Sequence, residues 1–182
     1  MASVATPFVG KSPRRICRLT KANDMKDETI LSLTRHINAS PQAVWRCWTE
    51  VDLIKQWFAP KPVETIHAEI EPWHGGKFNT TMRVPDHGDH IGEGCVLIAD
   101  LGKRLVTTNM MTAGFVPVAI GDGDIDFPYV IDLTMDHENY GCRYTAQVRH
   151  ANAAGAAKHA AMGFEQGWGA ATDQLATLAR TL

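Results

Sequence analysis

With 182 residues and 45% apolar side chains, the chain can bury a sizeable core without covalent staples, and one domain is the default reading. A net charge of -2 argues against binding a phosphate backbone, and no apolar run approaches the ~18 residues of a membrane span, so nucleic acid and membrane are set aside as partners. Cys17, Cys47, Cys95 and Cys142 show no CxxC spacing and no charged n-region leads into an apolar h-region, which reads as reduced thiols in the cytoplasm.

The first residues differ from the rest. Within residues 1–24, Lys11, Arg14, Arg15, Arg18 and Lys21 face only Asp24, and with Pro7, Pro13 and little apolar periodicity the segment 1–27 reads as a basic, disordered arm ahead of one domain at 28–182. Its acid-poor, arginine-containing composition also resembles a weak transit peptide. Met25 opens MKDETILSLTRHINAS and is the natural beginning of the folded part, so residues 1–24 are read as lying upstream of the functional start.

From Thr29 an alternating segment fits a strand that ends at Asn38 and Ala39. Ser40 followed by Pro41 is an N-cap and first-turn pair, because the serine oxygen accepts an orphan N–H and proline has none to lose. Val44, Trp45 and Trp48 then mark one side of a helix. Asp52 is expected to cap a second short helix containing Ile54 and Trp57, stopped by Pro60 and Pro62. This corner lacks the basic face that DNA recognition would need.

A run of strands follows, each read by period-two alternation: Ile66, Ala68, Ile70; Phe78, Thr80, Met82, Val84; Val96 and Ile98; Val106, Thr108, Met110; Tyr129, Ile131, Leu133, Met135; Cys142, Tyr144, Ala146, Val148. Short turns between them imply antiparallel neighbours. The segment 114–128, with GDGD at its centre, is longer than a hairpin and is expected to be a lid or an entrance loop. Last comes an alanine-rich helix from Ala153 to Arg180, about 28 residues and about 42 Å long. Phe164, Trp168, Ala171, Leu175 and Leu178 form its buried face, with Gly163 and Gly167 beside them. Two glycines cost a helix about 1 kcal/mol each, so they imply a reason: tight packing is the plainer one, space for a ligand the other.

Strand, helical pair, strands and long closing helix is the order of an α+β fold in which a curved antiparallel sheet wraps a C-terminal helix. Four pieces carry a family resemblance: INASPQAVWRCWTEVDLIKQWFAP, WHGGKF with TMRVPDHG, GEGCVLIADLGKRLVTT, and GFEQGWGAATDQLATLA. Together they resemble the Hsp90-ATPase-activator-homologue-like branch of the START/Bet v 1 (SRPBCC) superfamily over about residues 29–180. The resemblance implies a helix-grip fold of seven strands, often with an apolar interior pocket. It does not imply one activity, since the superfamily holds lipid carriers, receptors, cyclases and co-chaperone domains.

Within that frame the ligand-contacting set is expected to be Phe78, Thr80, Met82, Met110, Met135, Tyr144, Met162, Gly163 and Gly167. Flexible, polarizable methionines suit an adaptable apolar wall, although they fill plain cores equally well; Thr80 and Tyr144 are the polar groups that would orient a ligand. His87 and His90 in HGDH, together with His67, His74 and Glu69, lack the three or four converging ligands of a metal site and are read as solvated, as are His150 and His159. His67, Glu69, Arg83, Glu93, Asn109 and Asp132 alternate out of phase with the apolar residues and are placed on the convex face. Cys47, Cys95 and Cys142 read as small buried hydrophobes, and no catalytic motif is present. Trp45, Trp48 and Trp57 should anchor the helical corner over one cavity mouth, while Trp73 could be exposed on a partner surface.

The expected function is binding of a hydrophobic small molecule, lipid-like or an aromatic metabolite, in a cavity between sheet and helix, with no cofactor and no metal. An Hsp90-type co-chaperone or interaction module, with a chaperone partner, and a polyketide cyclase or hydrolase-like enzyme are the alternatives. A homodimer through exposed strand edges is compatible with the sequence.

Overall fold

The computed structural model describes residues 27–119, 121 and 127–182. The N-terminal arm up to residue 26, with Cys17, and the centre of the 114–128 segment lie outside the described residues.

Strand β1 (Ile30–Ile37) leads into α1 (Pro41–Thr49), where the Ser40 hydroxyl accepts the Ala43 N–H at 3.1 Å and Pro41 opens the first turn, as the sequence predicts. Helix α2 (Val51–Ile54) is only one turn long. Glu50, not Asp52, takes its N-cap position, without a side-chain bond, because Glu50 is held by Arg46 at 2.6 Å and α1 runs almost directly into α2. Strands β2 (Glu64–Ile70), β3 (Phe78–Val84) and β4 (Gly88–Gly92) form one antiparallel sheet. Strands β5 (Cys95–Asp100), β6 (Arg104–Thr108), β9 (Tyr129–Glu138) and β10 (Gly141–His150) join β1 in another, ordered β1-β10-β9-β6-β5. In chain order between β6 and β9, β7 (Met111–Thr112) and β8 (Val116–Pro117) pair as a short ribbon of their own.

The two larger sheets meet at one seam. Phe78 donates its N–H to the Gly94 carbonyl at 3.0 Å, Val96 donates to Gly76 at 2.8 Å, and Lys77 bridges Cys95. Gly94 and Gly76 are required there: a Cβ on Gly94 would meet the Thr108 carbonyl at 2.7 Å, and one on Gly76 would run into the Glu71 backbone. The sheet therefore curves continuously through eight strands rather than the seven expected, since Gly88–Gly92, not anticipated as a strand, pairs with β3.

Register fixes the inner face. Leu33, Ala146, Leu133 and Leu105 stand opposite one another across four strands, as do Leu31, Val148, Ile131 and Thr107. The inward residues of β6 are thus Leu105 and Thr107, not Val106, Thr108 and Met110. In β2 a bulge between Thr65 and His67 puts Thr65, rather than Ile66, beside buried Ala68 and Ile70.

Over this face lie α3 (Ala153–Ala161) and α4 (Phe164–Ala179), which correct the single closing helix. Met162 caps α3 and Gly163 turns left-handed, with φ 89°, so the chain breaks before α4 starts. The core is built from Ile37, Val44, Trp48, Ile54, Leu133, Tyr144, Val148 and Leu175, all at most 1% exposed. Gln174 ties α4 to the helical corner by donating to the carbonyls of Trp57 and Ala59 at 2.8 and 2.9 Å. The fold is the helix grip, with its closing helix in two pieces.

Candidate functional site

Between the inner face and the broken helix lies a cavity of about 690 Å³. Its floor is Tyr129, Ile131 and Val148 of the central strands. One side is Trp48, Trp57 and Phe58 of the helical corner, and the other is Phe164, Gly167, Trp168 and Ala171 of α4. Met82 and Val84 of β3 and Met162 with Gly163 at the helix break complete the wall. Exposed lining residues cluster at His87, Gly88 and Asp89 on the β3–β4 hairpin and at Met162, which mark the opening to solvent.

The aromatic walls hold one another in place. Trp48 meets Trp57 edge-on at 4.7 Å, Phe58 contacts both, and the Trp57 indole N–H donates to the Cys47 carbonyl at 2.9 Å. Phe164 lies against Trp168 at 5.4 Å and against His159 at 5.0 Å. Phe127 packs on His159 at 4.9 Å and on Tyr129 at 6.0 Å. Asn109 fixes Phe127 from outside the cavity: its amide donates to the Phe127 carbonyl and its oxygen accepts the Tyr129 N–H, both at 2.9 Å.

The polar inventory is short. His150 and His159 are bonded ring to ring, Nε2 to Nδ1, at 3.0 Å. Burial first, and the neighbouring His150 second, push His159 down from 6.5 to about 4, so this ring is neutral at physiological pH. Burial also raises Tyr129, keeping its phenol protonated. Asp89 at the opening is held by Arg83 at 2.8 Å, and that bond keeps its carboxyl below the ordinary range. Among the described residues no three His, Cys, Asp or Glu side chains converge to hold a metal ion, and no helix is long and apolar enough to cross a membrane.

Comparison with known proteins adds the family. The profile described as Activator of Hsp90 ATPase homolog 1-like protein matches residues 38–180. The chain belongs to this family. Among solved structures, a protein of Nitrosomonas europaea is 29% identical, with 86% of this chain and 97% of that one covered at a TM-score of 0.80. A Rhodobacter sphaeroides protein at 18% identity covers 86% and 95% with a TM-score of 0.72. The AHSA1-like protein of Aeromonas hydrophila, at 19% identity, covers 84% and 92% with a TM-score of 0.62; likenesses at this level show the fold alone. No curated protein sequence matches the chain significantly.

On this family fold the nine residues expected at the ligand fall into two groups. Met82, Met162, Gly163 and Gly167 line the cavity. A Cβ on Gly167 would meet nothing within 4 Å, so this glycine leaves open space and does not serve tight packing. Phe78 stands one layer behind, against Trp48 and Phe58, and Thr80, 7% exposed, is not on the wall. Met135 and Tyr144 face each other across β9 and β10 in the solid core, 2% and 0% exposed. The Tyr144 hydroxyl and Trp48 Nε1 are buried without a well-formed hydrogen bond, although the indole opposes in part the upward push of burial on the phenol. Met110 lies past the end of β6, where its N–H is bonded to Thr108 Oγ1 and its carbonyl to Val118.

The reading of His150 and His159 as solvated is overturned. His150 is 6% exposed, and both rings stack with Phe127. Asn109 is not a solvated convex residue either, and Asp132, though convex, is 9% exposed beneath a two-point bond from Arg104 at 2.8 and 2.9 Å. The signal for the histidine pair was present: His150 ends a strand whose inward set is Tyr144, Ala146 and Val148, so its phase is inward. Trp73 is 57% exposed and takes no part in the cavity.

Proposed function

We propose that this family member binds a hydrophobic small molecule in the cavity between the sheet and the broken C-terminal helix, acting in the cytoplasm. The observation that carries the reading is the cavity wall, in which Trp48, Trp57, Phe58, Phe164, Trp168 and Met82 surround space of ordinary small-molecule size. Covering about 300 Å² of apolar ligand surface at about 25 cal/mol per Å² offers up to about 7 kcal/mol before association and ordering costs, which supports micromolar affinity. Met162 at the opening and the left-handed Gly163 behind it give the entrance an adaptable side chain on a non-helical joint. The test is native mass spectrometry of freshly purified protein against the same protein after denaturation and solvent extraction. An excess mass that extraction releases supports the binding role. A clean mass that stays unchanged through incubation with lipid-like and aromatic extracts of the cell opposes it.

A further inference from the structure

Two histidines from different elements meet at one cavity wall, and the placement of their protons restricts what that wall can recognise. His150 Nδ1 lies 3.1 Å from the Thr29 carbonyl, which can only accept, so His150 carries a proton on Nδ1. When Nδ1 carries the single ring proton, Nε2 is a lone pair, and His159 Nδ1 at 3.0 Å is the donor. His159 Nε2 is then a bare acceptor. It lies on the far side of the imidazole from His150, on a residue that itself lines the cavity, and it has no hydrogen-bond partner among the described residues. A proton added to either ring would create an imidazolium beside Phe127, with no described carboxylate within ion-pair distance of either histidine. Among the described residues, the other titratable groups on the wall are His87, Asp89 and His90 at the opening and Tyr129 on the floor.

Resting on the binding role proposed above, we infer that the ligand bears an uncharged hydroxyl, alcoholic or phenolic, which donates a hydrogen bond to His159 Nε2 while its apolar body lies against Phe127, Phe164 and Trp168. A carboxylate in the same place would set an anion against a lone pair. An ether or hydrocarbon would cover this acceptor without satisfying it. The two-ring chain back to the Thr29 carbonyl holds the tautomer, as a carbonyl commonly does for a working histidine.

The test uses the full chain with 2-naphthol, 2-methoxynaphthalene and 2-naphthoate at neutral pH, in wild type and His159→Phe. The naphthol should bind about tenfold more tightly than the ether, the value of one net hydrogen bond, with the carboxylate weakest. In His159→Phe that ratio should fall to about one. Equal binding of naphthol and ether in wild type, or a preference that survives in the variant, overturns the inference and leaves the cavity reading standing; binding of none of the three overturns both. Imidazole nitrogen NMR of the wild type supplies a second measurement that needs neither ligand nor variant. A protonated Nδ1 with a bare Nε2 on His159 is expected, and the opposite tautomer overturns the assignment.

Discussion

Gly163 and Gly167 are four residues apart in sequence, yet replacing each by alanine should move stability in opposite directions. Gly167 is inside α4, and a methyl group there meets no atom within 4 Å, so Gly167→Ala removes backbone freedom from the unfolded chain without a clash. The gain is about 1 kcal/mol, which for a chain of this size raises Tm by about 2–4 °C. Gly163 has room as well, its nearest neighbour being Gln166 Oε1 at 3.7 Å, but its φ of 89° is left-handed. Alanine pays about 1–2 kcal/mol there, and Tm should fall by a few degrees. Urea denaturation followed by tryptophan fluorescence, with thermal circular dichroism alongside, reads both changes. The opposed signs follow only if the wall at Gly167 is open in solution. Destabilisation by Gly167→Ala would show that α4 packs onto the sheet there and that the cavity is closed in the free protein.

Three further outcomes are expected. Met82→Trp should fill the cavity between β3 and α4 and abolish probe uptake while leaving the far-ultraviolet circular dichroism native; undiminished uptake with an intact fold would refute its place on the wall. For acid stability the sign follows from His159, whose value falls from 6.5 to about 4 on folding: between these pH values the unfolded chain holds the extra proton, so stability is complete above about 6.5 and declines as pH falls toward 4. Discounted for partial exposure, the loss is on the order of 1–2 kcal/mol, and His159→Phe should flatten the pH 7 to 5 interval in urea titrations; an unchanged slope would refute this. Cys47 and Cys142, fully buried thiols pushed by burial up to about 11, should react with a thiol reagent far more slowly in native protein than in urea, and equal rates would contradict their burial.

Much of the frame was legible because particular segments leave little choice. Ser40-Pro41 can start a helix and do little else, and the alternating sets read for β9 and β10 share one face, with Met135 opposite Tyr144, Leu133 opposite Ala146 and Ile131 opposite Val148. Phase was lost where contrast vanished: Leu105 to Thr108 are buried on both sides, so alternation in β6 carries no signal. It was lost again at bulges, after Thr65 and after Val96, where one extra residue turns every following side chain over. The helix break was hidden because alanines continue on either side of it and glycine is tolerated within helices; only the left-handed backbone at Gly163 reveals the stop. For the cavity, sequence could say which strand residues point inward but not how far along the sheet the helix leaves a gap. Met135 and Tyr144 share their face with Ile131 and Tyr129, yet the first pair is in solid core and the second borders open space. The histidine pair joins the end of a strand to a helix nine residues later, a contact that no local periodicity encodes.

The most direct measurement of the central claim is methyl NMR of methionine-labelled protein during titration with 2-naphthol. If the ligand enters between β3, the helix break and α4, the methyl resonances of Met82 and Met162 move together and saturate at one affinity, while Met135 in the closed core stays still. Saturable binding that leaves Met82 and Met162 unmoved would place the ligand elsewhere and contradict the account.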